Sequence, residues 1–309
     1  MSSVLYDVPG PRAIVRNRIL GVVTVLGVLA IIGFVIYQMA VTGQLSAEKW
    51  YIFTFSTVWE QILAATGRTL AAFALAAVLS LAVGFILAIG RLSDHRWVRV
   101  PFGALVEIFR AIPVLILMML LFYGLPVIGI RMEPYWAVVI ALTVYNGSVL
   151  AEVFRAGVDA VPRGQREAGY AVGLRKNGVM RLILLPQAVR AMLPVIVAQL
   201  VVTLKDTALG SIITYNELLY FGRLLGSQAQ YDRPILQAGI VIAVIYISLC
   251  LILAGFAKWL EVRMRRSPRV HGAQTADPLV HEGTDTELIV AQKIERAAKR
   301  EQRRDSAGE

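Results

Sequence analysis

The sequence predicts an all-α integral membrane protein with six transmembrane helices. Three observations carry that prediction. First, the chain is 57% hydrophobic and only 17% charged, with a mean hydropathy of +0.64. A soluble domain of 309 residues needs far more polar surface. Second, five charge-free runs (19–41, 69–90, 111–130, 134–151 and 234–257) are long enough to cross hydrocarbon, which takes roughly 20 residues. A sixth run, 191–216, is broken only by Lys205-Asp206. Third, the basic residues between the runs fall heavily on alternate sides.

The first run is too long for a signal peptide and lacks a small-residue cleavage site, so it is read as a true span. The second carries Arg68 near its outer end. That residue either snorkels to the headgroups or meets an anionic amino acid. Along the same run Ala72, Ala76, Ser80, Gly84 and Ala88 recur every fourth residue. Such a stripe lets another backbone approach closely and suits a helix or subunit interface.

Glu107 and Arg110, spaced i, i+3, flank the start of the third run and are read as structural. In the fourth, Tyr145 and Asn146 face a cavity or bond to another helix. Glu152 and Arg155 at its inner end are expected to pair with each other. In the sixth-run segment, charges at membrane depth are costly and mark function by default. Neighbours on a helix do not share a face, so Lys205 and Asp206 need different partners or a broken helix. Pro194 and Gly210 permit a bend there. Two readings stand: Lys205, Asp206 and Thr207 line a substrate cavity, or the charges pair with Glu107 or Glu152.

With the N-terminus inside, the inner segments hold seventeen basic residues. These are Arg12, Arg16, Arg18, Arg91, Arg96, Arg99, Arg155, Arg163, Arg166, Arg175, Lys176, Arg181, Lys258, Arg263, Arg265, Arg266 and Arg269. The outer segments hold five: Lys49, Arg68, Arg131, Arg223 and Arg233. Both termini are therefore expected in the cytosol. The basic balance is a topology signal and an attraction to anionic membrane lipid, not a nucleic-acid footprint.

A cytosolic N-terminal segment, 1–18, precedes the first span. The tail, 267–309, carries seven basic and eight acidic residues. Thr284-x-x-Glu287 fits a capping box for a charged helix reaching about Arg304, but the composition favours a solvated, partly disordered cytosolic tail. No internal repeat of the kind secondary transporters carry is found. Cys250 is the single cysteine, which excludes an internal disulfide, and His95, His271 and His281 have no metal-ligand spacing. A phosphate-cradling loop needs Gly-Lys followed by Ser or Thr. The six lysines are followed by Trp50, Asn177, Asp206, Trp259, Ile294 and Arg300, so no ATP site is expected in this chain.

The most informative stretch is EAGYAVGLRKNGVMRLILLP, residues 167–186, polar and basic between apolar runs. Pro162 suits the start of a helix, residues 164–172 allow two turns, and Gly173 can take the left-handed conformation that ends one. The spacing predicts a short polar helix presented to a partner in water.

Glu-Ala-Gly-x3-Gly-x9-Ile-x-Leu-Pro, from Glu167 to Pro186, resembles the EAA loop of type-I ABC importer permeases. Gly67-Arg68-Thr69-Leu70, Glu107-x-x-Arg110-x-x-Pro113, Ala151-Glu152-x-x-Arg155 and Pro162-x-Gly164-Gln165 resemble their polar amino-acid branch. So do Leu185-Pro186-Gln187-Ala188-x-Arg190 and Lys205-Asp206-Thr207-x-Leu209. The resemblance covers about residues 65–260, leaving the first span as an extra N-terminal helix outside the permease core. The opening Ser3-Val4-Leu5-Tyr6-Asp7-x-Pro9-Gly10-Pro11 and the run Arg110–Ile116 look most like actinobacterial glutamate permeases.

The resemblance implies a heteromeric ABC transporter in the bacterial plasma membrane. In it the 156–186 loop docks a cytosolic ABC ATPase dimer through Arg163, Gly164, Gln165, Glu167, Ala168, Gly169 and Gly173. It also implies ATP bound on that partner, a second permease subunit (homologous or identical), and an extracytoplasmic amino-acid binding protein. The substrate would be glutamate or another polar amino acid, with no covalent chemistry in this chain. Arg68, Tyr145, Asn146, Lys205, Asp206 and Thr207 are the candidates for the substrate path. Gly169 stands where that family usually has Ala, a change expected to loosen the short helix. Glu167 is expected to bond the first amides of its own helix or a basic group on the partner. The alternative is an ion-coupled secondary amino-acid transporter using Lys205-Asp206 as a relay.

Overall fold

The computed structural model describes residues 10–265. Ser3 to Pro9, the tail and its Thr284-x-x-Glu287 box lie outside these residues. Among the described residues the regular structure is entirely helical. Five helices are long and apolar enough to span a membrane, and one sharply bent pair makes a sixth if counted as one.

Helix α1 (Pro11–Val41) starts earlier than the apolar run because Pro11 suits a first turn, which puts Arg12, Arg16 and Arg18 inside the helix. It buries none of its residues. Helix α2 (Ser56–Arg91) likewise extends ahead of its charge-free run, so Arg68 sits within the helix rather than at its end. Its small-residue stripe is buried inside this chain against α5 (Pro134–Asp159). That corrects the subunit-interface alternative. A Cβ on Gly84 would lie 2.8 Å from Leu150 Cβ and 2.9 Å from the Gly147 carbonyl. Ser80 also donates to the Leu142 carbonyl at 3.4 Å.

The third expected span, 111–130, is realised over Val114–Ile128, and a helix that no apolar run announced precedes it. Helix α3 (Arg96–Ala111) meets α4 (Val114–Met119, continued by a π turn and a 3₁₀ turn to Ile128) at 94°. Pro113 lacks an amide hydrogen and forces the residue before it out of the helical region. Ile112 accordingly has φ −87° and ψ 121°.

After α5 come α6 (Arg163–Ala171), α7 (Lys176–Gly178), a π turn (Val179–Leu184) and α8 (Leu185–Asp206). The chain then tightens to 3₁₀ over Thr207–Ile213, and Lys176–Ile213 forms the fifth apolar element. Helix α9 (Leu218–Gly226) leads to α10 (Ile235–Arg265).

The interior falls into separate apolar clusters. One joins Ala76 of α2, Met118 of α4, Leu142 of α5 and Ile213. Another joins Ile62 of α2 to Leu218 of α9 and Ile242 of α10. A third, Val158, Val161, Val179, Leu184 and Ala188, lies where α5, the π turn and α8 meet. Asn146 is wholly buried and donates to the Leu142 carbonyl at 2.9 Å. Its Oδ1 accepts from Gln199 Nε2 at 2.6 Å, which links α5 to α8.

The turn before α9 is stitched to α2. Thr214 is left-handed at φ 62°. Arg68 donates to the Asn216 carbonyl, Tyr215 Oη donates to the Arg68 carbonyl at 2.8 Å, and the Leu218 amide donates to Thr69 Oγ1 at 3.0 Å. Glu217 is fully buried yet satisfied. It accepts from the amides of Leu219 (2.8 Å) and Tyr220 (2.7 Å) and from Tyr246 Oη (2.6 Å). A carboxylate on the first amides of a helix is stabilised by their orphan hydrogens and the helix dipole.

Candidate functional site

Helix α6 is the short polar helix the spacing predicts, and its C-terminal end has a Schellman geometry. The Gly173 amide donates to the Tyr170 carbonyl at 2.9 Å and the Leu174 amide to the Gly169 carbonyl at 3.1 Å, with Gly173 at φ +81°. One side of α6 is rooted. Gly169 is buried, and a Cβ there would lie 2.8 Å from Ile183 Cδ1 and 2.9 Å from Val179 Cγ2. The glycine therefore brings α6 tight against the foot of α8, a correction to the expected loosening.

The other side is free. Arg163, Gly164, Gln165, Glu167 and Ala168 are exposed, as are Tyr170 (46%) and Val172 (76%). Tyr170 near the end of this nine-residue polar helix and Val172 at its C-cap are thus large apolar side chains left uncovered. Glu167 makes no hydrogen bond or ion pair among the described residues, and Pro162 at the N-cap gives α6 no side-chain cap. The own-amide alternative is thus not realised. Gln165 accepts from Gln187 Nε2 of α8 at 3.3 Å.

Two polar clasps hold this end together. Lys176 pairs with Asp94 in the α2–α3 turn and reaches the Leu92 carbonyl at 3.4 Å. The hydrogen bond from Lys176 holds the Asp94 carboxyl below the usual carboxylate range, against an opposing effect of desolvation. A depressed carboxyl favours the clasp above the unfolded-state value, about 3.9, and the preference is lost as pH falls through the depressed value. An NMR titration of Asp94 should give a midpoint below about 3.9 and no change between about pH 5 and pH 8. A midpoint at or above the ordinary value would refute the clasp.

In the second clasp, Arg91 at the end of α2 lies 2.8 Å from Glu152 Oε2 and 3.4 Å from Glu107 Oε1. The Arg91 Nη1 angles fall short of a hydrogen bond, so these are ion pairs by distance. Glu152 also accepts from Arg155 Nε at 3.1 Å, as the i, i+3 spacing predicts, and Arg155 reaches Asp159 at 2.6 Å. Glu107 and Arg110 are 3.9 Å apart, a loose pair.

Most of the candidate path residues are engaged in contacts that hold the helices together. Arg68 is held by Asn216, and Asn146 by Gln199 and Leu142. Thr207 is buried and donates to the Leu204 carbonyl at 2.6 Å, and Tyr145 packs half-buried on the central apolar cluster. Lys205 is exposed and Asp206 half-buried, and neither has an ion-pair partner among the described residues. Glu107 and Glu152 are engaged by arginines, so the expected alternative of pairing with them fails.

Sequence reasoning missed Arg91, Glu217, Tyr170 and Val172. Glu217 just ahead of the apolar Leu218–Leu219 pair is an acidic helix-start signal that was available.

Comparison with known proteins matches the geometry. Residues 80–266 fit the family described as binding-protein-dependent transport system inner membrane component. The glutamate transport system permease protein GluD of Corynebacterium glutamicum is 40% identical over 227 residues, covering 72% of this chain and 82% of that protein. The arginine transport system permease protein ArtQ of Bacillus subtilis is 29% identical over 210 residues, 66% of this chain and 92% of that one. Among solved structures, an amino acid ABC transporter with histidines superposes with TM-score 0.63 at 26% identity, covering 68% of this chain and 97% of its own. An inward-facing MetNI methionine ABC transporter, at TM-score 0.52 and 21% identity, shares the fold over 67% of this chain and 94% of its own. With its helical spans and its short exposed helix rooted on the foot of α8, the chain belongs to the binding-protein-dependent transport system inner membrane components, the permease subunits of ABC importers.

Proposed function

We propose that this permease imports glutamate or another polar amino acid, with both termini in the cytosol and α6 seated in a cytosolic ATPase. The observation that carries the coupling role is the two-sided character of α6: packed through Gly169 on Val179 and Ile183 of the π turn that leads into α8, and exposed at Arg163, Gly164, Glu167 and Ala168. A rigid helix fixed to a span passes on displacement, whereas a flexible loop absorbs it. An ATPase dimer binding ATP would push α6 of each permease and favour the outward-open state, a population shift by differential binding.

The assembly then comprises this chain, a second homologous or identical permease, two ATPases that hold the ATP, and an extracytoplasmic binding protein. Residues 65–260 form its transmembrane domain, 156–186 the coupling loop, and 1–18 and 267–309 cytosolic segments. The orientation is supported by the basic residues at the α6 end of the spans, and glutamate by the name of the 40% identical relative.

For the substrate path, the geometry favours Lys205 and Asp206. A span residue such as Lys205, with no ion-pair partner among the described residues, is suited to an aqueous cavity or another subunit. There the ammonium suits a substrate carboxylate and the Asp206 carboxylate a substrate ammonium. Arg68, Asn146, Tyr145 and Thr207 would hold the helices that shape this path.

Proteoliposomes with the ATPases and binding protein test the reading. Glutamate uptake should require ATP and survive collapse of ion gradients. A Glu167→Cys variant should crosslink to the ATPase. Lys205→Gln should lower uptake about tenfold, the scale of one charged contact. Uptake that follows an ion gradient and ignores the ATPase would overturn it.

A further inference from the structure

We propose that the Arg91 end of the molecule holds one anionic phospholipid, its phosphate in a basic cavity and an acyl chain in an adjoining apolar cleft. The cavity, about 390 Å³, lies where the α2–α3 turn, the last turns of α5, and α6 converge. Five cations and two carboxylates line it. Arg91, Arg155 and Lys176 are taken up by the two clasps, which also use both carboxylates, Asp94 and Asp159. Arg99 and Arg166 reach the same cavity with no ion pair or hydrogen bond among the described residues. The cavity therefore has an uncompensated positive charge and guanidinium groups free to bind phosphate oxygens.

Beside it runs a second cleft of about 440 Å³. Its far wall is apolar, with Phe85 and Ile89 of α2, Phe154 of α5 and Leu185 of α8. Leu92, Val158 and Met180 line both spaces, so the two adjoin. A soluble phosphate would leave the apolar cleft unused, and a neutral lipid would leave Arg99 and Arg166 unmatched.

The level is also right for a headgroup. Arg91 ends one span and Arg155 lies in the last turns of another. Helix α3 is bent 94° from α4 and packs against α2 and α5. It leaves Trp97 92% exposed beside Arg96 and Arg99, the pairing of aromatic and basic side chains found at a membrane–water boundary. Basic pockets between spans at this depth are suited to anionic headgroups.

The test uses the purified full chain, without ATPases or uptake, so it is decided apart from the coupling reading. The chain is released from nanodiscs of equal phosphatidylglycerol and phosphatidylcholine, and retained lipid is counted by native mass spectrometry. Phosphatidylglycerol should be preferred about tenfold, and R99Q/R166Q should lose about that factor. K258Q/R263Q, which removes two charges from α10, should change retention less than about twofold. A phosphatidylglycerol analogue with a photoreactive acyl terminus should label the Phe85–Ile89 stretch. Glycerol phosphate at the same concentration should not compete. Equal retention by R99Q/R166Q, equal loss in the α10 variant, labelling elsewhere, or competition by glycerol phosphate would overturn the proposal. So would replacement of the lipid label by the ATPase when the complex is assembled.

Discussion

Gly173→Val should cut ATP-driven uptake by about an order of magnitude or more, with the chain still inserted in the membrane. Gly173 is at φ +81° and nothing lies within 4 Å of a Cβ built there. The penalty is therefore in the backbone, not in a clash. A left-handed residue with a side chain costs about 1–2 kcal/mol, and more when the Cβ is branched. That is about a tenfold or larger shift between the closed Schellman end and alternatives in which α6 frays or runs on. Either alternative would shift the exposed residues of α6, Glu167 and Ala168 among them, relative to the π turn that leads into α8. The control is Gly173→Asn, since Asn tolerates the left-handed region and should keep most of the uptake. Equal uptake by the valine variant and the wild type would remove the structural basis for coupling through this helix.

Gly84→Val should prevent stable assembly of the chain itself. Here the strain is in packing. The new Cβ would meet Leu150 Cβ at 2.8 Å and the Gly147 carbonyl at 2.9 Å, and neither is the flexible tip of a side chain. Relief requires α2 and α5 to separate, which disturbs the whole row from Ala72 to Ala88 and the Ser80–Leu142 bond. Overpacking of this kind costs about 1–3 kcal/mol, and more where backbone must move. Thermal unfolding in detergent and the yield of membrane-inserted chain should both fall. Gly21→Val in α1, where nothing lies within 4 Å, should change neither. A Gly84 variant as stable as the wild type would contradict the close α2–α5 crossing.

These two glycines show what could be read from the sequence alone. Gly173 was legible because a helix stop is a local event, set by a few consecutive residues. The spans were legible because hydrophobic length is local too. The α2 stripe was visible, but its partner was not, because spacing says that a backbone approaches closely without saying whose. The same limit hid the roles of Arg91 and Glu217, whose partners lie on other helices. It also left open a pairing of Lys205 and Asp206 with Glu107 or Glu152, which are engaged by arginines instead. The bend at Ile112–Pro113 was visible as a proline at the start of the 111–130 run, but helix α3 before it, with Arg96, Arg99, Glu107 and Arg110, lay outside every apolar run. Gly169 was misjudged because its effect depends on Val179 and Ile183, ten or more residues along the chain.

Helix α1 adds no side chain to the interior. From Gln44 onward the chain is already complete as a packing problem, since the first long-range tie is the bond from Gln237 to the Gln44 carbonyl. The leading helix is in this sense an appendage. Shortening or exchanging it should therefore leave the packing of the other helices unchanged.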